Sequence, residues 1–386
     1  MFQDLVLIAL FAAVSAGLLY MALSAALAPP AAYPMRQTGR AEPPVTILKP
    51  LHGNEPGLLE NLVSFCDQIY SGPVQIVFGV SRPDDPAIAV VEQLRGLYPH
   101  KTLDLVVDNR VHGTNPKVSN LINMSSKIAH DIIVLADSDI RVRPDYLSRI
   151  VRRLERAGGV VTAPYYGIST GNVWSKLAQL NIDGHFLPGV LVGSRFSLSR
   201  PCLGSTIALH RSSLVAIGGF EAIADCLADD YEIGALMAAR GEPVSLAYFA
   251  VGHVCDERSL AELWRHEVRW AMTIRSINPV GYFGWMTSHA FPLALIAWMI
   301  GGEEIAICLA VGALACRGVL IYAIERGYGL PPRPYWLIPL RDLLSFAVFA
   351  AGFVARDLSW KGRRYTLMSE GNLIPGQIPE RRTPSS

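Results

Sequence analysis

The sequence predicts an α/β protein: a doubly wound parallel sheet with apolar, membrane-directed helices before and after it. Three observations carry this. Four short β-branched runs alternate with helical stretches between positions 45 and 137, and strands separated by single helices must pair in parallel. Long, almost wholly apolar stretches lie near the start of the chain and again between positions 282 and 358. The 386 residues are 51% hydrophobic and 17% charged, with mean hydropathy +0.29, which is too apolar for an ordinary soluble protein. A net charge of +1 gives nucleic acid nothing to hold. Six cysteines without a Cys-x-x-Cys spacing read as reduced core residues. His253, Cys255 and His266 fit no standard zinc spacing.

Taken in order, positions 5–28 are apolar for long enough to cross a bilayer of about 30 Å. Asp4 is the only charge before them, which argues against a signal peptide. Arg36, Arg40 and Lys49 follow, so the positive-inside rule places the next segment in the cytoplasm. Pro29, Pro30, Pro34, Pro43 and Pro44 mark a stiff linker. VTILKPL from Val45, VQIVFGVS from Val74, LDLVVD from Leu103 and IIVLAD from Ile132 are strands, with helices over 56–70, 85–98 and 116–128. Pro86 and Pro116 sit near helix starts, where a missing N–H is harmless. Beyond Arg143 the pattern loosens. VVTAPYY reads as a strand, 173–184 as a helix, CLGSTIALH as a strand and Gly218-Gly219-Phe220 as a turn.

A helix over 259–277 opens with a capping box, Ser259 to Glu262. Its Leu260, Leu263, Trp264, Trp270 and Ile274 form an apolar face that suits a helix lying along a membrane. Apolar stretches at 282–302 and 305–324 are broken by Glu303 and Glu304, and the last, 336–358, contains Arg341 and Asp342. Charges inside a bilayer are expensive, so this last piece is expected to be re-entrant, interfacial or packed inside the bundle. With Lys361, Arg363 and Arg364 behind it, one of the three C-terminal pieces should not cross. The expected division is a transmembrane anchor at 1–30, a linker at 31–44 and a cytoplasmic catalytic domain at 45–258. An interfacial helix at 259–281, membrane segments at 282–358 and a cytoplasmic tail at 359–386 complete it.

The residues able to do chemistry collect at predicted strand ends. Asp137 and Asp139 close the fourth strand, and alternation puts them on one side, about 7 Å apart. The carboxyl edge of an open α/β sheet is where ligands sit. Two hard oxygen ligands at that distance suit Mg²⁺ or Mn²⁺ carrying phosphates, although a solvated turn would look the same. Lys49 ends the first strand, Asp84 and Asp85 follow the second, and Asn115-Pro116-Lys117 opens the helix after the third. A nucleotide at the sheet edge would meet all of them. Neither Gly-x-x-x-x-Gly-Lys nor Gly-x-Gly-x-x-Gly is present, which disfavours P-loop and Rossmann enzymes.

Asp229-Asp230-Tyr231-Glu232 is a second acidic cluster. It reads either as a partner of a helix N-terminus or as a general base, Asp230, with its pKa raised in a partly dry site. Arg265 and Arg269 lie one turn apart. Their guanidinium forks could grip a diphosphate; alternatively they flank an aromatic anchor, Trp270, on a membrane-surface helix.

The order Asp85, Asp137-x-Asp139, Asp230, then Arg265 with Arg269-Trp270, resembles the D, D, D, (Q/R)xxRW signature of membrane-bound processive and lipid glycosyltransferases. KPLHG at Lys49, DDPA at Asp84, NPK at Asn115, DSDIRV at Asp137, DDY at Asp229, RW at Arg269 and WKGRRYTL at Trp360 are similar to the ceramide glucosyltransferase family. A bacterial branch of that family adds N-acetylglucosamine to a polyhydroxylated hopanoid tail. The resemblance implies a GT-A fold and an inverting enzyme of the inner membrane, multi-pass, with its catalytic domain in the cytoplasm. The implied donor is a UDP-sugar and the acceptor a lipid, a bacteriohopanepolyol, with ceramide or diacylglycerol as alternatives. It also implies that Asp85 meets the uracil or ribose, that Asp137 serves donor and metal, that Asp230 is the base, and that Arg265, Arg269 and Trp270 hold the pyrophosphate.

Overall fold

The computed structural model describes residues 1–29, 41–198, 202–355, 357–360, 363–367 and 373–375, with side chains up to 355. Positions 31–40 of the expected linker, with Arg36 and Arg40, and Lys361 of the tail lie outside the described residues. α1 (Phe2–Leu27) covers the first apolar stretch. β1 (Val45–Pro50), α2 (Leu58–Cys66), β2 (Val74–Val80), α3 (Ala87–Leu97), β3 (Thr102–Val107), α4 (Pro116–Met124) and β4 (Ile132–Leu135) then alternate. The four strands pair in parallel in the order β3-β2-β1-β4. All of β1 and β4 is buried, which is why these runs show no polar alternation. Successive residues feed opposite layers: Ile47 packs with Phe78 and Val134, whereas Leu48 packs with Val77 and Ile133. Lys49, expected at the strand end to meet a nucleotide, is instead fully buried inside β1.

The second half departs from the prediction in two places. After β5 (Ile140–Arg141) and α5 (Tyr146–Ala157), the VVTAPYY run splits into β6 (Val160–Thr162) and β7 (Tyr165–Ser169). Pro164 between them has no N–H for a ladder, and the two halves join different sheets. The predicted helix over 173–184 does not stop there. α6 (Val173–Asn181) runs through a π turn (Ile182–Phe186) into α7 (Leu187–Arg195). Pro188 would press on the carbonyl four residues earlier, and that carbonyl, of Gly184, is taken by Arg317.

β8 (Ile207–His210), α8 (Arg211–Ala216), α9 (Asp229–Ala239), β9 (Val244–Leu246) and β10 (Val251–Cys255) complete the sheets. The large sheet runs β3-β2-β1-β4-β8-β6-β9 and is mixed, because β8 lies antiparallel to both β4 and β6. A second, small sheet runs β5-β10-β7.

α10 (Leu260–Ile277), α11 (Pro279–Gly284), α12 (Ala290–Gly301), α13 (Glu304–Tyr328) and α14 (Ile338–Val354) follow. α1, α13 and the stretch Tyr335–Val354 are each long and apolar enough to cross a membrane, whereas Pro279–Ser288 and Ala290–Gly301 meet at a 70° bend. The broken piece is therefore the first of the C-terminal three, not the charged last one. Arg341 and Asp342 turn into the bundle, where Arg341 donates to both oxygens of Glu267 (2.7 and 2.8 Å) and Asp342 accepts from Arg317 (3.1 Å). Val14 and Met21 of α1, Leu187 of α7, Phe291 of α12 and Leu320 of α13 share one apolar cluster. β11 (Asp357–Trp360), β12 (Arg363–Leu367) and β13 (Leu373–Pro375) form a small antiparallel sheet.

Candidate active site

β1 pairs with β2 on one side and β4 on the other, so chain direction across the sheet reverses between β1 and β4. Crevices form at the carboxyl ends of strands that flank such a reversal. Asp137 to Asp139 leave β4 there, and four contacts hold the loop. Lys49 Nζ donates to the Asp137 carbonyl. Ser138 Oγ donates to Glu55 Oε2 (2.6 Å), Asn61 Nδ2 to the Ser138 carbonyl (3.2 Å) and the Val254 N–H to the Asp139 carbonyl (2.9 Å).

Asn115 caps α4, its side-chain oxygen accepting from the Lys117 (2.9 Å) and Val118 (3.2 Å) N–H groups. This aims Lys117 at the acids, where its ammonium bridges Asp137 (2.8 Å) and Asp229 (2.9 Å). Asp230, in the first turn of α9, accepts from the N–H of Gly204 (2.7 Å) and from that of Tyr231 (2.8 Å). A Cβ on Gly204 would stand 2.9 Å from Asp137 Oδ2, 3.3 Å from Asp230 Oδ2 and 3.5 Å from Lys117 Nζ. Only a glycine lets these three groups converge.

Burial, reinforced by the neighbouring charge of Asp229, raises the Asp230 carboxyl to about 6. Burial also raises Asp229, opposed by Lys117. For Lys117 burial favours the neutral amine, but Asp137, Asp229 and Asp230 outweigh it and its pKa rises. Lys49 has no such direct partner: burial lowers it to about 7 against the more distant pull of Asp139, Asp137 and Glu55. Two lysines thus meet opposite fates a few residues from one loop, according to whether carboxylates touch them.

On α10, Ser259 caps the helix by accepting from Glu262 N (3.2 Å), while Glu262 reaches Arg258 N (2.9 Å) rather than the cap residue's own N–H. Arg269 turns inward. Burial lowers its pKa, and Asp139, Tyr165 and Asp137 oppose that. Trp270 faces the same way, its ring 4.7 Å from His266, 6.0 Å from His253 and Phe186, and 6.5 Å from Tyr165. It forms part of the aromatic wall of the site. Arg265 does not join Arg269: it is exposed and bonds its own helix at the Ala261 carbonyl (3.1 Å). His266, held by Glu257 (2.7 Å), occupies the inward position.

These groups line one cavity of about 1220 Å³, which runs from His52, Arg82 and Arg110, past the acids, to Tyr20 of α1, His185 and Ser288. Lys117, Asp137, Asp139, Asp230, Arg269 and Trp270 reach it; Lys49, Asp84, Asp85, Asn115 and Arg265 do not. Asp84 is exposed and pairs with Arg82 (2.9 Å). Asp85 ties the chain after β1 to α3, accepting from the N–H groups of Gly53 (2.9 Å) and Ala87 (2.9 Å). Sequence reasoning missed Gly204, Tyr165 and His253. The glycine inside the CLGST run was the available signal, since a glycine in a strand-like stretch often marks a close approach.

Among the described residues no three His, Cys, Asp or Glu side chains gather as a metal site. Two carboxylates nevertheless suit a hard cation that a phosphate would also ligate. One oxygen of Asp139 is shielded and has no hydrogen-bond partner among the described residues, and the other lies 3.6 Å from His253 Nδ1.

The model of glycosyl transferase family 21 matches residues 5–373. Ceramide glucosyltransferase 1 of Caenorhabditis elegans is 27% identical over 210 residues, 52% of this chain and 43% of that protein. Ceramide glucosyltransferase 3 of the same organism is 23% identical over 350 residues, 86% and 74% respectively. The chain therefore spans less than half the length of the first relative and about three quarters of the second. A mannosyltransferase of Pyrobaculum calidifontis, solved in complex with GDP-Man and Mn²⁺, superposes with a TM-score of 0.52 at 20% identity, covering 91% of this chain and 99% of that one. The likeness to that structure is one of fold.

Proposed function

Because this chain belongs to glycosyl transferase family 21 and is a glycosyltransferase, we propose that it moves a sugar from a UDP-sugar to a hydroxyl of a membrane lipid, inverting the anomeric carbon. The observation that carries the lipid is the cavity itself. It runs without interruption from the acids at the strand ends to α1, the π turn and the bend between α11 and α12. A lipid can present its head group at Asp230 while its apolar body stays among these helices, which avoids exposing methylenes at about 0.8 kcal/mol each. The sheet lies on the cytoplasmic side of the inner membrane in this reading, which rests on Arg36 and Arg40.

Asp230 takes the proton of the acceptor hydroxyl as that oxygen attacks the anomeric carbon and the UDP oxygen leaves. Its pKa of about 6 keeps it ionised at neutral pH yet basic enough to accept a proton. Lys117 holds Asp137 and Asp229 in place and offsets the repulsion among three carboxylates. Arg269 faces the diphosphate, with Trp270 excluding water beside it. Mg²⁺ or Mn²⁺ held by Asp137 and Asp139 would supply counter-charge to the leaving diphosphate. Lys49, Asn115 and Asp85 serve this site by fixing loops, and Arg265 serves it least.

We take N-acetylglucosamine as the sugar and a bacteriohopanepolyol as the acceptor. The second reading is glucose transfer to ceramide, the activity named in both relatives. Purified protein in detergent is offered UDP-glucose or UDP-N-acetylglucosamine with each lipid, and the products are weighed by mass spectrometry. A glycolipid with the mass of one added sugar is expected; UDP release with no glycolipid would overturn the lipid acceptor.

A further inference from the structure

His185 stands in the π turn between α6 and α7, on the wall of the cavity, and is 1% exposed. Its Nε2 lies 2.9 Å from Asp342 Oδ1, and that carboxylate also accepts from Arg317 Nε at 3.1 Å. A carboxylate paired with a guanidinium is ionised, so Nε2 carries the proton and Nδ1 is left as a bare acceptor. Nδ1 is shielded and has no hydrogen-bond partner among the described residues. Buried acceptors are rarely left so unless something not yet bound satisfies them.

The surroundings tell what that something is. The next residue, Phe186, stacks on Tyr165 at 4.6 Å and approaches Trp270 at 6.0 Å. Tyr165 lies 5.4 Å from His253, which reaches Asp139. Phe186 thus faces the reacting end and His185, one residue before it, the stretch of the same cavity that leads on to the helices. Beyond it the wall becomes apolar, with Val190, Val192, Ile277 and Trp285, and Gly189 and Gly281 leave room beside them. π turns of this kind recur at functional sites.

We propose that His185 Nδ1 is the acceptor-positioning group, receiving a hydrogen bond from a second hydroxyl or an amide N–H of the lipid head group while a neighbouring hydroxyl reacts at Asp230. The acceptor is then a lipid with at least two adjacent polar donors, a polyol or an amido-alcohol, and not a simple long-chain alcohol. This rests on the reading of the chain as a lipid glycosyltransferase.

Two substitutions separate positioning from scaffolding. In His185→Gln the amide nitrogen can take the place of Nε2 and keep Asp342, but nothing replaces Nδ1. In His185→Asn the amide can replace Nδ1, but the bond to Asp342 is lost. Full-length protein in detergent is assayed with ceramide and with bacteriohopanetetrol, and KM is measured for the lipid that the wild type glycosylates and for its donor. For the Gln variant, acceptor KM is expected to rise about tenfold, the scale of one lost hydrogen bond. Its donor KM should be unchanged. The Asn variant should retain acceptor KM within about threefold. The reverse order, a normal Gln variant and a damaged or unfolded Asn variant, would make His185 a scaffold for Asp342 only. A rise in donor KM alone would place the sugar there instead. If the wild type glycosylates neither lipid, the functional reading itself fails, an outcome distinct from these.

Discussion

At the scale of single residues, three carboxylates crowd one lysine, and on the proposed mechanism the ionisation of Asp230 should control the rate. Its folded pKa is raised by burial and by Asp229 to about 6. A general base works only when ionised, so kcat/KM should fall about tenfold per pH unit below that value and level off above it. Initial rates between pH 4.5 and 8 check this; a profile flat down to pH 5 would remove Asp230 from the base role. Gly204→Ala is the second test. Its Cβ would press on Asp137 at 2.9 Å, so we expect a loss of about 10–100-fold in kcat/KM, the cost of misplacing catalytic groups, with an unchanged melting temperature. Asp137 was legible in the sequence because it falls where a strand ends, and Asp229 and Asp230 because they form an acidic cluster at a helix start. Gly204 was not, because what it does is keep a side chain out of a space that other segments create.

At the scale of elements, α10 carries one face to the site and another to α14. Arg265 and Arg269 share a side by helical spacing alone, yet the apolar contacts of Leu263, Ala271 and Met272 set the rotation, and only Arg269 turns inward. Arg265→Ala should change turnover by less than about threefold, as at other exposed positions, whereas Arg269→Lys should lower kcat about tenfold or more by losing the planar fork. Steady-state kinetics of the two variants decide; equal losses would restore Arg265 to the diphosphate. Glu267 faces the opposite way, into Arg341. Breaking a buried pair on one side costs about 3–5 kcal/mol, while replacing both partners by apolar groups is often neutral. Arg341→Met should therefore melt well below the wild type in detergent, and Glu267→Met with Arg341→Met should recover most of the loss. Of the three placements open to the charges at 341 and 342, the structure shows the one inside the bundle; sequence shows a charge but not its partner, and both partners lie on other helices.

At the scale of the whole molecule, sheet and bundle are one structure. Asp183 pairs with Arg333 (2.8 Å), Glu267 with Arg341 (2.7 Å) and His185 with Asp342 (2.9 Å). A chain ending at 277 would strand all of these buried groups, so it should aggregate rather than survive as a UDP-binding module, which size-exclusion chromatography would reveal. The doubly wound first half was plain in the pattern of buried strands and crossover helices. The second half was not, because β8 enters antiparallel and Pro164 sends one apolar run into two sheets, choices made by distant partners. Everything in this account converges on Asp230 acting on a lipid hydroxyl. The most direct test compares the wild type with Asp230→Asn for UDP-sugar affinity and for glycolipid formed per minute. Unchanged affinity with transfer slowed by at least about 10²-fold is expected; transfer at the wild-type rate would contradict the account.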